Sequence, residues 1–308
     1  MTNVFIDGSV GTTGLRIHER LSKREDLTLV TLPDAVRKDP AARREAINGA
    51  DIVFLCLPDA AAVEAVSMIE NKNVAVIDTS TAHRVDPTWT YGFPELARKE
   101  AIAASKRIAN PGCHASGFLA LTEPLVRAGV LKKDAHLTCF SLTGYSGGGK
   151  KMIADYEAAD RDKLLEAPRQ YGIAQAHKHL PEMMRIAGLA NAPVFCPIVG
   201  DFYSGMEVTV PVFARDLNGT LEDVKAVYRA TYQGKLVRFV QGDGEGGFLS
   251  ANAFSGRDDM EVRVSGNDDR ILLIARFDNL GKGASGAAIQ NMNILLGVDE
   301  TTGLIIGE

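Results

Sequence analysis

The sequence predicts an α/β protein: a doubly wound parallel sheet, followed by an α+β part whose sheet is mostly antiparallel. Three observations predict it. Short apolar runs alternate with helical patterns through the first hundred or so residues. A glycine-spaced turn joins the first run to the first helix, and beyond residue 113 strand-like runs outnumber helices. A chain of 308 residues exceeds one ordinary core, so two domains are expected. The first takes residues 1–112 and regains 287–308; the second takes 113–286.

NVFID (3–7) is a β-rich run and LRIHERL (15–21) opens a helical pattern. Between them lies GSVGTTG, with glycines at Gly8, Gly11 and Gly14. A strand that turns through glycines into a helix leaves backbone N–H groups and the positive end of a helix dipole facing outward, where a pyrophosphate can sit. Gly8, Ser9, Gly11, Thr12, Thr13 and Gly14 are therefore candidate cofactor residues. LTLVTL (27–32) reads as the next strand and PAARREAING (40–49) as a helix. DIVFLCLP (51–58) is continuously apolar, as a strand buried on both faces would be. AAAVEAVSMIE (60–70) is helical and VAVIDTS (74–80) is again a strand. Pro58 and Ser80 then fall near carboxyl ends of strands, where such sheets bind ligands. This is the pattern of a Rossmann-type dinucleotide domain.

The residues leave the identity of the dinucleotide open. Asp34 lies twenty residues beyond Gly14, about where an acidic side chain takes a ribose 2′-hydroxyl. Arg37 and Lys38 follow closely, and cations there suit a 2′-phosphate.

Composition narrows the function. Hydrophobic residues make up 45% and charged residues 24%, with a formal net charge of -5, so no nucleic-acid partner is expected. No apolar run approaches a membrane span, and MTNVFIDG does not read as a signal peptide, so no membrane partner is expected. Four scattered cysteines without paired spacing suit reduced thiols in a cytoplasm. Cys56, Cys139 and Cys196 sit in apolar runs and read as core. Cys113 differs: it follows Asn110-Pro111-Gly112 and precedes a helical stretch, HASGFLALTEPLV. A thiol at a helix N-terminus sees the positive end of the dipole, which lowers its pKa and makes it a nucleophile. Asn-Pro-Gly fixes the backbone there, and Asn110 joins the candidate substrate residues.

A proton-transfer group is sought among the six histidines. His18 and His136 read as structural, His83 as closing a loop, and His114 as a neighbour of the nucleophile. His177 and His179, in AHKHLPEM, would face one side if that stretch is extended. No ligand set for a metal is evident. TGYSGGGK (143–150) reads as a flexible, donor-rich loop suited to an anion, with Ser141, Ser146, Gly147 and Lys150 as candidate substrate ligands.

NPGCHASGFLAL resembles the active-site segment of the N-acetyl-γ-glutamyl-phosphate reductases, relatives of the aspartate-semialdehyde dehydrogenases. DGSVGTTGLRI, DTSTAHR, YGFPEL, TGYSGGGK, AHKHLPE and DNLGKGASGAAIQN resemble further landmarks in the expected order, over nearly the whole chain. His114-Ala115-Ser116 is similar to the shorter of two family branches. The resemblance implies that Cys113 attacks an acyl phosphate to give a thioester, which NADPH reduces to the semialdehyde. It implies His179 as general acid/base, His177 as a substrate ligand, and Gly283 near the nicotinamide at the start of the last helix. A homo-oligomer, dimer or tetramer, is expected. Three rival readings fit the residues less well. An aspartate-semialdehyde dehydrogenase is disfavoured because Gly112 separates asparagine from cysteine. A non-catalytic NADP(H) sensor leaves the cysteine and histidines idle, and a thiol hydrolase leaves the nucleotide domain idle.

Overall fold

The computed structural model describes residues 1–307, which divide into two compact units. The first comprises Met1–Gly112 and Ala284–Leu304; the second comprises Cys113–Gly283 and the tail from Ile305. The chain thus returns to the first unit three residues earlier than the expected 287. The tail belongs to the second unit because Asp258 N–H donates to the Ile305 carbonyl at 2.7 Å, and Ile305 N–H donates to the Asp258 carboxylate at 2.8 Å.

The first unit is built on β1 (Thr2–Asp7), β2 (Leu27–Val30), β3 (Ile52–Leu55), β4 (Ala75–Asp78), β5 (Thr90–Tyr91) and β6 (Arg107–Ala109). All five ladders are parallel, in the order β2-β1-β3-β4-β6-β5. Helices α1 (Thr12–Leu21), α2 (Pro40–Gly49), α3 (Asp59–Ser67) and α4 (Lys99–Ala104) connect the strands, and a C-terminal helix, α9 (Gly286–Leu296), packs with them. Because side chains alternate along a strand, Val4 and Ile6 join Ile17 and Ile289 in one apolar layer, while Phe5 joins Ile47 and Ala62 in the other. Both faces of the sheet are buried, which explains the unbroken apolar runs at 52–58 and 74–77. The chain winds from β1 to β2 on one side and then to β3 on the other. The crevice at this switch point lies outside the carboxyl ends of β1 and β3.

The second unit opens with α5 (Cys113–Arg127) and continues through β7 (Thr138–Gly144), α6 (Gly149–Glu157), β8 (Arg169–Gln170), α7 (Leu180–Ala187), β9 (Val194–Gly200), β10 (Met206–Phe213), α8 (Leu221–Thr231), β11 (Val237–Phe239), β12 (Met260–Gly266) and β13 (Arg270–Phe277). Its sheet runs β11-β12-β13-β10-β7-β9-β8. Four ladders are antiparallel, whereas β7–β9 and β11–β12 are parallel.

Two features seat α5 on this sheet. A side chain at Gly117 would come within 2.5 Å of Val208 and 2.9 Å of Phe277, so glycine permits the close approach. Pro124, inside the helix, lacks the N–H that would bond the Ala120 carbonyl. Tyr232 supplies the missing donor, its hydroxyl 2.5 Å from the Ala120 oxygen, and Tyr228 donates to Leu121 at 2.5 Å. The helix that carries Cys113 at its first residue is therefore anchored along its length.

Candidate active site

The first unit holds a cavity of about 390 Å³ at the β1/β3 switch point. Gly8, Ser9, Gly11, Arg37, Lys38 and Pro58, all singled out in the sequence, line it, together with Asp7, Arg43 and Cys56. Gly8 has φ +90°, and a Cβ there would lie 2.3 Å from the Cys56 carbonyl oxygen, so no larger residue fits the turn. A Cβ at Gly14 would lie 2.4 Å from the Gly8 oxygen; this glycine lets α1 pack down on the loop. Gly11 is the N-cap of α1, and no side chain caps the helix. The first-turn N–H groups of Thr12, Thr13 and Gly14 therefore have no intrahelical acceptor and no side-chain cap, the arrangement that receives a phosphate. Glycines admitting close backbone approach, an uncapped helix start and cations on the wall together fit a dinucleotide.

Arg43, absent from the sequence reading, is buried and donates to Asp7 at 3.0 Å and to Glu64 at 2.9 Å. Burial raises the Asp7 pKa and the Arg43 pairing partly opposes this. Its charge is thereby engaged inside the protein. Arg37 and Lys38 are the more exposed cations of the cavity, and Arg37 Nε lies 3.0 Å from Asp34.

Two predicted residues of this unit prove to be internal. Ser80 donates its hydroxyl to Asp78 at 2.8 Å, and the same carboxylate meets His83 Nδ1 at 2.6 Å. His83 stacks on Trp89, with centroids 4.1 Å apart, and closes that loop. Asn110 is buried; its amide donates to the Ala284 carbonyl at 3.1 Å and its oxygen accepts from Asn291 at 3.2 Å. Both ends of the Asn110 amide are occupied, so it holds the turn before Cys113 rather than presenting itself to a ligand.

In the second unit Cys113 is half-buried at the start of α5, where the helix dipole favours a thiolate. Gly283 lies in a π-helical turn, Gly281–Ser285, and a Cβ on it would sit 3.0 Å from the Cys113 Cβ. The glycine thus clears space at the thiol. Two other cysteines are less readily ionised: desolvation pushes the Cys56 thiol up to about 12 and raises that of the buried Cys139 as well.

His177 and His179 do come together, their ring centroids 4.8 Å apart, though not on an extended segment. The chain turns instead. Gly172 (φ +63°) and Gln175 (φ +53°) adopt left-handed conformations, His179 N–H donates to His177 Nδ1 at 3.2 Å, and Leu180 N–H bonds the His177 carbonyl at 3.0 Å. His179 is the N-cap of α7, with Pro181 in its first turn. His114 completes a three-ring cluster, 5.8 Å from His177 and 5.6 Å from His179. Burial, with a smaller contribution from His177, pushes the His114 pKa down to about 3. Burial also lowers that of His177.

The donor-rich loop is in fact helical. Tyr145–Gly148 form a 3-10 turn that runs into α6, held by N–H bonds from Tyr145 and Ser146 to the Phe202 and Tyr203 carbonyls at 2.9 and 3.0 Å. Ser146 is buried and accepts from Asn279 at 3.0 Å. Ser141 is fully buried and paired with His114 at 2.7 Å. Both hydroxyls are thus engaged by protein partners. Gly147 and Lys150 are exposed.

A parallel dinucleotide unit and an α+β unit that opens on a helix-terminal cysteine define the semialdehyde dehydrogenase class of oxidoreductases. The family model described as "Semialdehyde dehydrogenase, NAD binding domain" matches residues 20–104, and "Semialdehyde dehydrogenase, dimerisation domain" matches residues 113–279. The N-acetyl-gamma-glutamyl-phosphate reductase of Burkholderia lata is 48% identical over 306 residues, 96% of each chain. N-acetyl-gamma-glutamyl-phosphate reductase 2 of Pseudomonas putida is 46% identical, covering 97% of this chain and 98% of that one. The chain belongs to the N-acetyl-gamma-glutamyl-phosphate reductase family, and its cofactor is a nicotinamide dinucleotide. Among solved structures, aspartate semialdehyde dehydrogenase II of Vibrio cholerae superposes with a TM-score of 0.71 over 96% of this chain and 98% of that one. At 17% identity that likeness shows the fold alone.

Proposed function

We infer that the chain is an NADPH-dependent reductase of the arginine pathway. It converts N-acetyl-γ-glutamyl phosphate to N-acetylglutamate semialdehyde and releases phosphate. The observation that carries this reading is Cys113 at the first residue of α5, in the same unit as the histidine cluster, in a chain 46–48% identical to relatives of that name along nearly its whole length.

The Cys113 thiolate attacks the γ-carbonyl, the carbon–oxygen bond to phosphate breaks, and a thioester remains on the sulfur. When bound, the reduced nicotinamide supplies the hydride that reduces this thioester. His179 protonates the oxygen of the resulting thiohemiacetal and takes the proton back as the carbon–sulfur bond breaks, while His177 holds substrate. Lys150 and Gly147, at the exposed start of α6, are the donors offered to the substrate's anionic groups. Spectrophotometry tests the reading: N-acetylglutamate semialdehyde should reduce NADP+ in the presence of phosphate or arsenate. A preference for aspartate semialdehyde would transfer the chain to the rival activity.

The choice of NADPH rests on Arg37, held on the cavity wall by Asp34, with Lys38 beside it. That pairing supports reading Asp34 as a partner of the cation rather than as a ribose ligand. A charge-assisted bond to a 2′-phosphate is worth about 1.5–3 kcal/mol, or roughly ten- to a hundredfold in affinity. Arg37→Ala should lower kcat/KM for NADPH by about that factor and leave NADH little changed. Equal efficiencies with the two cofactors in the wild type would return Asp34 to the role of hydroxyl ligand.

Self-association is supported by the outward face of the second sheet. Phe140, Val194, Phe213 and Leu272 project from β7, β9, β10 and β13 and are 40–56% exposed. A contiguous apolar face of this kind suits a second copy of the chain. Sedimentation equilibrium reporting a monomer at micromolar concentration would remove this reading. Among the described residues no helix is long and apolar enough to cross a membrane. Four free thiols fit a reducing cytoplasm.

A further inference from the structure

The turn that brings the histidines together begins where the β8–β9 ladder is interrupted. In that antiparallel ladder Arg169 faces Val199 and Gln170 faces Ile198. Tyr171 N–H still donates to the Pro197 carbonyl at 3.0 Å, but Pro197 has no N–H with which to answer the Tyr171 carbonyl. Gly172 then turns the chain aside with φ +63°, and a Cβ there would stand 3.2 Å from the Pro197 ring. Continued in register, Ile173 would meet Phe195 as the next hydrogen-bonded pair and exchange both backbone bonds with it. Ile173 is instead 79% exposed.

Gln175 takes that place with its side chain. Its Nε2 donates to the Phe195 carbonyl at 2.7 Å, and its Oε1 accepts from the Phe195 N–H at 2.8 Å. A carboxamide offers one carbonyl and N–H donors, as a peptide group does, so it can exchange both bonds where the backbone has left. The arrangement costs an unusual backbone: Gln175 has φ +53°, and its N–H closes the turn on the Gly172 carbonyl at 3.0 Å.

This clamp bears on the histidines from two sides. Along the chain, His177 lies two residues beyond Gln175, and its Nδ1 receives the His179 N–H at 3.2 Å. Across the sheet, the buried ring of Phe195 lies 5.1 Å from His177 and 5.3 Å from His114. Before the turn, the Tyr171 hydroxyl meets His114 Nε2 at 2.6 Å. We propose that Gln175 is the positioning residue of the histidine pair: its carboxamide replaces backbone in the β9 ladder and so holds His177 and His179 beside Phe195 and His114. The proposal rests on His179 as the general acid/base.

Asparagine and glycine tolerate positive φ better than glutamine does, but asparagine is one methylene shorter and glycine has no amide. Gln175→Asn and Gln175→Gly in the full chain therefore remove the clamp while relieving the backbone. Each should lower kcat for reduction about ten- to a hundredfold, the cost of an acid/base group displaced by about an ångström. Each should also keep the wild-type burst of phosphate from N-acetyl-γ-glutamyl phosphate without NADPH, which shows the second unit folded and Cys113 competent. Wild-type kcat in either variant, or a burst lost in step with kcat, overturns the proposal. A double variant tests the route: His179→Asn combined with Gln175→Asn should be no slower than His179→Asn alone, and additive losses would remove Gln175 as the positioning residue. The histidine reading fails on a different result, wild-type kcat in His179→Asn with Gln175 intact, and the proposal would fall with it.

Discussion

Cys113→Ser is expected to lose reductase activity by on the order of 10⁴-fold or more while still binding NADPH. The α5 dipole can shift a thiol that ionises near neutrality, but a serine hydroxyl ionises too far above it for the same field to produce a nucleophile. Turnover also needs the bond formed in the first step to break in the last, and a thiohemiacetal gives up its sulfur more readily than the oxygen analogue. Cofactor binding should survive because the nucleotide cavity is lined wholly by residues between Phe5 and Ala61. A serine variant with more than a few per cent of wild-type kcat would sink the assignment.

His179→Asn is expected to lower kcat by about a hundredfold or more in both directions, leaving NADPH affinity unchanged. Reduction delivers a proton to the thiohemiacetal oxygen and oxidation removes it, and imidazole is the side chain whose ordinary pKa, about 6.5, suits both. Asparagine preserves a polar group of similar size at the α7 N-cap, so the loss would be one of proton transfer rather than of the turn. Thioester formation should persist in this variant, since His179 is not asked to activate the thiol. His177→Asn should act mainly on KM. Full kcat in His179→Asn with a large loss in His177→Asn would exchange the two roles, and full activity in both would dismiss the pair.

What the sequence disclosed was local. The β1–glycine–α1 turn and the apolar β3 and β4 each carry their own period, and each appears where that period places it, while the second sheet showed itself as an excess of strand-like runs. The strands β5, β6 and β8, with two or three residues each, are too short to show any alternation in the sequence. The histidine cluster depends on pairing at long range. His114 meets Ser141, Tyr171 and His177 only because α5, β7 and the turn before α7 converge, and nothing near residue 114 or 171 announces that contact. The same convergence occupies Ser141, which local chemistry had offered to substrate. Gly172 and Gln175 could have warned of the turn, but a glutamine with positive φ has no sequence signature. Ser80, Ser146 and Asn110 make the same point. A hydroxyl or amide in a donor-rich segment is visible in sequence, whereas the partner that engages it is not.

The central claim is that the acyl group passes through the Cys113 sulfur. Its most direct test is single-turnover mixing of N-acetyl-γ-glutamyl phosphate with enzyme free of NADPH, followed by peptide mass analysis. The account predicts a burst of phosphate matching the enzyme present and an N-acetylglutamyl adduct confined to the peptide containing Cys113. The thiols of Cys56 and Cys139, raised by burial, should remain unmodified. A phosphate burst with no adduct, or an adduct on a cysteine other than Cys113, would contradict it.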